Sequence, residues 1–247
     1  MADFDNRVIR GQAGTAEAVD AGLRAYMLRV YNYMLVGLLL TGATAYIVGS
    51  TPEILSLFFS MDQQGRFGLS ALGWVAFLAP LGLVFFLSYA INKMSLLTAQ
   101  IAFWAYAAIM GISLAPILLI YTGASVAQAF FITAATFGAM SLWGYTTRSD
   151  LTGFGSFLFM GLIGVVIASL VNLFLQSSAM AWIISVIGVL VFTGLTAYDT
   201  QWIKNAYAQA DDGATAGKKA IYGALKLYLD FINLFLMILR LLGNGRR

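Results

Sequence analysis

The chain has 247 residues, and its 14 Lys and Arg with 11 Asp and Glu make only 10% of it charged, against roughly 25% in an ordinary soluble domain. Hydrophobic residues make up 60%, and the mean hydropathy is +0.83. These values exclude a disordered chain and argue against a soluble domain, which needs more polar residues to cover its core. The long apolar stretches do not alternate with polar residues, which excludes a transmembrane barrel. The composition therefore predicts an all-α integral membrane protein.

Two residue types are missing from the chain, and their absence narrows the chemistry. There is no Cys and no His, which excludes disulfides, thiolate or imidazole metal sites and Ser-His-Asp or Cys-His catalysis. Any response to pH near neutrality must therefore come from carboxylates or lysines in unusual surroundings. The basic residues form no stripe and the aromatic residues lie in apolar runs, so no nucleic-acid partner is expected. Membrane lipid is the expected surrounding.

Because charged residues are scarce, the uncharged runs between them locate the membrane spans. A span needs about 20 apolar residues. Two uncharged runs, 94–147 and 151–198, are long enough for two spans each and are broken near 121–125 and 176–178. The sequence thus predicts a membrane domain at 26–242, between a polar N-terminal tail (1–25) and a basic C-terminal tail (243–247). Its seven transmembrane helices are expected at about 26–49, 68–91, 95–120, 125–146, 152–175, 180–203 and 221–242.

The distribution of basic residues predicts the orientation in the membrane. Seven spans place the two termini on opposite sides. The N-terminal side carries nine basic residues (Arg7, Arg10, Arg24, Arg29, Lys93, Arg148, Lys204, Lys218 and Lys219), and the other side carries four (Arg66, Arg240, Arg246 and Arg247). The positive-inside rule then predicts a cytoplasmic N-terminus and a periplasmic C-terminus. A re-entrant last helix would instead leave both termini in the cytoplasm.

Among the few ionisable residues inside predicted spans, the clearest are Asp199 in helix six and Asp230 in helix seven, with Lys226 close by in helix seven. A charge at the bilayer centre costs roughly 2.5–3.5 kcal/mol on insertion scales, so such residues usually face the bundle interior and have a function. Asp199 lies about 7 Å from the cytoplasmic end of helix six, and Asp230 about 13 Å into helix seven. Both carboxylates fall in the cytoplasmic half of antiparallel helices, where they can meet.

Two neighbouring carboxylates in a low-dielectric site cannot both ionise cheaply, so they titrate as a coupled pair. Such a dyad senses protons without histidine and, once deprotonated, offers the hard oxygen ligands that calcium prefers. The alternative is that Asp199 is solvated at the interface, while Asp230 pairs with Lys226 one turn earlier. On either reading Lys226 is a candidate modulator. Asn233, one turn beyond Asp230, and Tyr198, beside Asp199, are further candidates.

Three segments around these residues carry a family resemblance. They read GISLAP at 111–116, GLTAYDTQ at 194–201 and ALKLYLDFINLF at 224–235. With these motifs the chain resembles the Bax inhibitor family, in its bacterial YccA-like branch, from about Arg24 to the C-terminus. The resemblance implies seven helices with helix seven central and surrounded by the other six. It also implies a pH-sensitive calcium leak of the bacterial inner membrane, with Asp199 and Asp230 as the sensing dyad, calcium as the transported ion and no cofactor.

The resemblance also implies a basic residue near helices two and three that locks the dyad in a closed state. Lys93 is the candidate in this sequence, although it is offset from the expected position. Two other functions remain open. Members of this branch are associated with a membrane-bound ATP-dependent protease, and the polar tail 1–24 would then be the handle for that partner. An intramembrane aspartyl protease also uses two aspartates on adjacent helices, but residues 227–230 lack the glycines of its second motif. No enzymatic activity is therefore expected.

Overall fold

The structure is a computed structural model that describes residues 2–61 and 67–245, with side chains placed for 19–60 and 68–245. Its helices are α1 (Ala2–Ser50), α2 (Pro52–Phe58), α3 (Ala71–Ala90), α4 (Leu96–Leu114), α5 (Ile117–Ile120), α6 (Gly123–Thr146), α7 (Thr152–Leu175), α8 (Ser178–Asn205) and α9 (Gly213–Leu242). A short antiparallel hairpin pairs β1 (Phe59–Met61) with β2 (Phe67–Leu69), and Ile91–Lys93 forms a 3₁₀ turn. Three of the basic residues used above to predict the orientation lie outside the described residues: Arg66, Arg246 and Arg247.

Within the described residues, six helical segments are long and apolar enough to cross a membrane. They are Val19–Ser50, Ala71–Lys93, Leu96–Ile120, Gly123–Thr146, Thr152–Leu175 and Ser178–Asn205. The prediction of an all-α membrane protein is confirmed. The last long helix, α9, has 30 residues but is not among these six segments, so a seventh transmembrane helix stays a prediction.

Local sequence sets where most of these helices begin. The residues immediately before α3, α4, α6, α8 and α9 are polar, and each side chain accepts a hydrogen bond from the backbone N–H three residues later. These capping residues are Ser70, Ser95, Thr122, Ser177 and Asp212. A side-chain acceptor at this position satisfies one of the N–H groups that a helix start leaves unpaired. The caps explain why most helix starts lie within a few residues of the predicted ones.

Three predicted boundaries differ from the structure. The backbone of α1 is helical from Ala2, so the tail predicted at 1–25 continues into the first long helix. The predicted helix seven starts at Gly213 rather than near 221, because Asp212 caps it there. The predicted helix three is divided into α4 and α5, with Pro116 at the start of α5. A proline there has no N–H for the helix ladder, so it ends one helical segment and begins the next.

The core of the bundle is built around α9. This helix packs against α1, α4, α6 and α8. Side chains on several faces of its central part are buried, including Leu227, Tyr228 and Leu234. The outward faces of α3 and α7 instead expose large apolar side chains such as Phe85 and Phe174. Exposed apolar faces of this kind are suited to lipid rather than water. The packing observed for α9 involves four of the long helices, and its enclosure by all six others stays a prediction.

Hydrogen bonds group the helix connections at the two ends of the bundle. At one end, Lys218 Nζ donates to the Asn92 carbonyl (3.1 Å), and Gln201 Nε2 donates to the Ser149 carbonyl (2.8 Å). This end, which carries connections 91–95, 147–151 and 206–212, is called the basic end. At the opposite end, the Asn244 N–H donates to Ser125 Oγ (2.9 Å). The helix α9 therefore starts at the basic end and finishes at the opposite one.

Candidate functional site

An ion pair joins α8 and α9 inside the bundle. Lys226 Nζ donates to Asp199 Oδ1 at 2.7 Å, and the Asp199 side chain is only 9% exposed. The Lys226 ammonium also lies over the Trp202 ring, 4.8 Å from its centre. Trp202 follows Asp199 by three residues and so lies on the same face of α8. The lysine is therefore held between a carboxylate and an aromatic ring of one helix.

Asp230 completes a cluster of three ionisable groups. It lies one turn after Lys226 on α9, is 4% exposed, and is close enough to Asp199 for their carboxyl groups to interact directly. Its Oδ2 atom is buried and has no hydrogen-bond partner among the described residues. An unpaired buried carboxyl oxygen is costly. The cluster thus holds one cation and two carboxyl groups. One oxygen of these carboxyl groups, Asp230 Oδ2, accepts no hydrogen bond from the described residues.

The charges of this cluster do not balance when both aspartates are ionised. One ammonium against two carboxylates leaves a net negative charge in a buried site, where an uncompensated charge is expensive. Binding of one proton or one cation removes that excess. Because Asp199 is already bound by Lys226, the unpaired Oδ2 of Asp230 is the acceptor open to an additional proton or ion.

Both aspartates are buried in one cluster with Lys226, and the alternative pairing does not hold. Asp199 is buried rather than solvated, and Lys226 binds Asp199 across the helices rather than Asp230 along its own helix. The reason is the direction of the lysine side chain, which reaches the neighbouring helix α8. Asp230 is also 17 residues beyond the start of α9 rather than nine, since that helix begins earlier than predicted.

The three other candidate residues lie in different surroundings. Lys93 is exposed in the 3₁₀ turn and donates to Tyr89 Oη at 3.3 Å, so the structure does not bring it to the aspartates. The Tyr198 ring packs on α7, where a Cβ added at Gly155 would lie 2.4 Å from it. Asn233 Nδ2 donates to the Leu229 carbonyl of its own helix at 2.8 Å. Tyr198 and Asn233 therefore have structural contacts that do not involve the cluster.

Two neighbours of the cluster were not singled out by sequence reasoning. Trp202 supplies the ring over Lys226, and Gln201 binds both the Leu151 N–H and the Ser149 carbonyl of the α6–α7 connection. For Trp202, the three-residue spacing from Asp199 was a usable signal. For Gln201, the sequence offered none, because its partners are about fifty residues away.

A resident metal site is not built here. Among the described residues, no group of three or more Asp, Glu, His or Cys side chains is placed to hold a metal ion. Calcium takes six to eight oxygen ligands, which is more than two carboxyl groups supply. Asp199 and Asp230 alone therefore supply fewer oxygen ligands than a bound calcium ion takes.

The fold and the site together define a class of protein: a helical membrane protein with a buried aspartate pair and a lysine counter-ion. Comparison with known proteins gives the family. The profile described as "Inhibitor of apoptosis-promoting Bax1" matches residues 23–247, and the chain belongs to this Bax inhibitor family, as its motifs predicted.

Bacterial relatives match the chain over most of its length. An uncharacterized protein of Rickettsia prowazekii is 51% identical, over 92% of both chains. The inner membrane protein YbhL of Escherichia coli is 50% identical, over 92% of this chain and 94% of YbhL. An uncharacterized membrane protein of Streptococcus pyogenes is 38% identical, over 92% of this chain and 95% of the relative. The names of the Escherichia coli and Streptococcus pyogenes relatives agree with a membrane location.

Proposed function

We propose that this protein is a pH-sensitive calcium leak of the bacterial inner membrane, controlled by protonation of Asp199 and Asp230. One observation carries the proposal: the buried cluster has two carboxyl groups, one lysine and an unpaired Asp230 Oδ2. A proton on the pair balances the lysine charge. When the proton leaves, the excess negative charge attracts a cation, so protonation and cation entry exclude each other.

The position of the cluster suggests how an ion would reach it. The Lys226 side chain is 26% exposed, whereas that of Asp199 is 9% exposed. Lys226 therefore separates the buried carboxyl groups from the outside of the bundle, and an ion from that side must compete with its ammonium for Asp199. Calcium is the proposed cargo because carboxylate oxygens are hard ligands.

In this proposal α9 is the seventh crossing, and the basic end faces the cytoplasm. Support comes from the contacts of its two ends, since Lys218 meets Asn92 at the basic end and Asn244 meets Ser125 at the other. Lys93, Arg148, Lys204, Lys218 and Lys219 lie in or beside connections at the basic end. The positive-inside rule places such an end in the cytoplasm.

Calcium flux into proteoliposomes, measured across a range of external pH, tests the proposal. Wild type should show flux that rises as pH increases, because deprotonation opens the carboxylates to a cation. Asp199→Asn and Asp230→Asn should lose this pH dependence. Asp211→Asn is the matched control, since Asp211 binds Lys219 in the α8–α9 connection, and it should keep the wild-type profile. Superimposable curves for all four proteins would refute the role of the pair.

A second function, interaction with a membrane-bound ATP-dependent protease, has one structural feature in its favour. The helix α1 has 49 residues and a length of about 73 Å at 1.5 Å per residue, whereas a bilayer core is about 30 Å thick. Its N-terminal part can thus extend beyond the bilayer, where it is available as a binding segment for a partner. Calcium flux by the purified protein alone would favour the leak, while flux that needs the protease would favour this alternative.

A further inference from the structure

A lateral crevice opens between α1 and α6. Both helices pack on α9, and two cavities of about 700 and 650 Å³ lie between them. The cavities share the lining residues Leu38, Phe130 and Phe231, so they lie next to each other along the bundle. We call the larger part, from Arg24 to Leu38 on α1 and from Phe130 to Tyr145 on α6, the α1–α6 crevice.

The interior of the α1–α6 crevice suits a hydrocarbon chain. Its walls are mainly apolar, with Met34, Phe137 and Phe231 among the lining residues. Its polar groups Tyr31 and Ser141 bind each other at 2.5 Å, and Ser141 also contacts Thr200 Oγ1 at 3.0 Å. Because these hydroxyl groups already have partners, they offer little to a polar ligand.

The mouth of the crevice at the basic end is positively charged. Arg24 lines it and is exposed. Tyr145 lies on the other wall, and Lys204 is held there by a 2.8 Å hydrogen bond to the Tyr145 carbonyl, with its ammonium 5.1 Å from the ring centre. An apolar crevice with two cations beside its mouth matches a molecule that has an anionic head and a hydrocarbon tail.

We propose that the α1–α6 crevice binds one anionic phospholipid, with its phosphate at Arg24 and an acyl chain against Phe137 and Phe231. The dimensions agree. From Arg24 to Leu38 the helix rises about 21 Å, and one leaflet with its headgroup region is about 20–22 Å thick. The proposal concerns a lipid site distinct from the aspartate cluster and is independent of ion flux.

Photo-crosslinking in vesicles tests this site. The protein is reconstituted in phosphatidylcholine with a trace of phosphatidylglycerol that carries a photoactivatable group in the acyl chain, and a phosphatidylcholine probe is used in parallel. Crosslinks are mapped by mass spectrometry to peptides 24–38 and 130–145. Labelling of α7 serves as the internal reference, since most of that helix is exposed.

Three variants separate the headgroup contact from the chain contact. Arg24→Ala removes the charge at the mouth, and Arg29→Ala is its control, because Arg29 is exposed on α1 but does not line the crevice. Gly138→Leu is the variant that fills the crevice, since Gly138 lines it and a Cβ there would have nothing within 4 Å.

In wild type, crosslinking of the crevice relative to α7 should be about fivefold higher for phosphatidylglycerol than for phosphatidylcholine, the preference expected from one arginine. Arg24→Ala should abolish the preference, Arg29→Ala should keep it, and Gly138→Leu should reduce crevice labelling with both probes. Equal ratios for both probes in wild type, or no effect of Arg24→Ala and Gly138→Leu, would overturn the proposal. The proposal would also be overturned if neither lipid probe labelled the crevice while the protein crosslinked to a second copy of itself.

Discussion

At the scale of single residues, Lys226 determines how readily the aspartate pair ionises. Its ammonium is 2.7 Å from Asp199 Oδ1 and stabilises the ionised carboxylate. Lys226→Met keeps an apolar side chain of similar length but removes the charge. Ionisation then becomes more costly and protonation persists to higher pH. We predict that the midpoint of calcium flux shifts upward by about 1–3 pH units, the range known for carboxylates beside a cation.

The matched control for this prediction is Lys219→Met, six residues after the start of the same helix. Lys219 binds Asp211 at 2.7 Å outside the buried cluster, so this variant should keep the wild-type midpoint. Lys226→Arg should stay close to wild type because it retains the charge. A Lys226→Met midpoint that equals wild type, or lies at lower pH, would contradict the proposed role of the lysine.

Asp212 illustrates a different residue-scale effect, the capping of α9. Hydrogen bonds from the Thr215 side chain and backbone lower the pKa of Asp212 below its ordinary value of 3.8. A lowered pKa means that the ionised cap stabilises the fold at neutral pH, and that this contribution is lost as pH falls through the folded-state pKa. Asp212→Ala should therefore speed amide exchange in the first turn of α9 at neutral pH. Asp212→Asn, which can still cap, should have a smaller effect.

Acid provides the check on this explanation. As pH falls through the lowered pKa of Asp212, the difference in first-turn exchange between wild type and Asp212→Ala should shrink after correction for the intrinsic exchange rate, because the wild-type cap then becomes protonated. The exchange difference measured by mass spectrometry on peptides from 213–220 would report it. A difference that stays constant down to pH 2 would show that the charge of Asp212 contributes nothing to the cap.

At the scale of elements, glycines set how closely the helices approach. A Cβ added at Gly144 of α6 would lie 2.2 Å from the Ala197 carbonyl oxygen of α8, two residues before Asp199. We predict that Gly144→Ala forces the two helices apart and destabilises the protein by about 1–3 kcal/mol, the usual penalty of overpacking. Thermal unfolding in detergent measures this effect.

Gly138→Ala on the same helix is the control for Gly144→Ala. Nothing lies within 4 Å of a Cβ at Gly138, and alanine favours the helix over glycine, so the melting temperature should be unchanged or slightly higher. Equal melting temperatures for the two variants would show that α6 and α8 are not in tight contact at Gly144.

Small residues recur at helical spacing in three pairs, Gly111 and Ala115, Ala134 and Gly138, and Gly161 and Gly164, and this spacing predicts close helix packing. It predicts some of the tight contacts and misses others. Gly111 does lie against another helix, since its Cβ would be 2.5 Å from the Thr41 carbonyl oxygen, but Gly138 and Gly164 face open space. The tight positions Gly144 and Gly155 belong to no pair found in the sequence. A glycine pattern shows that a helix can be approached closely, but not which face of it meets a neighbour. That depends on how the whole bundle is arranged.

The same limit applies to the site. Scarcity of charge identified Asp199, Asp230 and Lys226, because a charge inside an apolar span is conspicuous whatever the fold. Which carboxylate the lysine binds depends on the rotation of α8 against α9, and the sequence does not encode that rotation in any local pattern. Lys93 shows the same limit. Its position in the sequence indicates the connection in which it lies, 91–95, but not that the 3₁₀ turn places its side chain beside Tyr89.

At the scale of the whole molecule, the arrangement of helix ends predicts the sidedness of the protein. The C-terminal segment pairs with the start of α6, through the Thr122 N–H and the Asn244 carbonyl at 3.2 Å, while Ser149 lies at the other end with Gln201. The chain has no Cys, so single cysteines can report sidedness without background. We predict that Asn244→Cys in whole cells reacts with a membrane-impermeant maleimide after the outer membrane is permeabilised.

Ser149→Cys should react in the same assay only after the inner membrane is also opened, because connection 147–151 belongs to the basic end. This outcome follows from two independent features, the surplus of basic residues at that end and the passage of α9 from one end of the bundle to the other. A re-entrant last helix would protect both cysteines equally. Since Asp199 lies six residues before the end of α8 at Asn205, labelling of Asn244→Cys alone would place this part of the cluster in the cytoplasmic half of the protein.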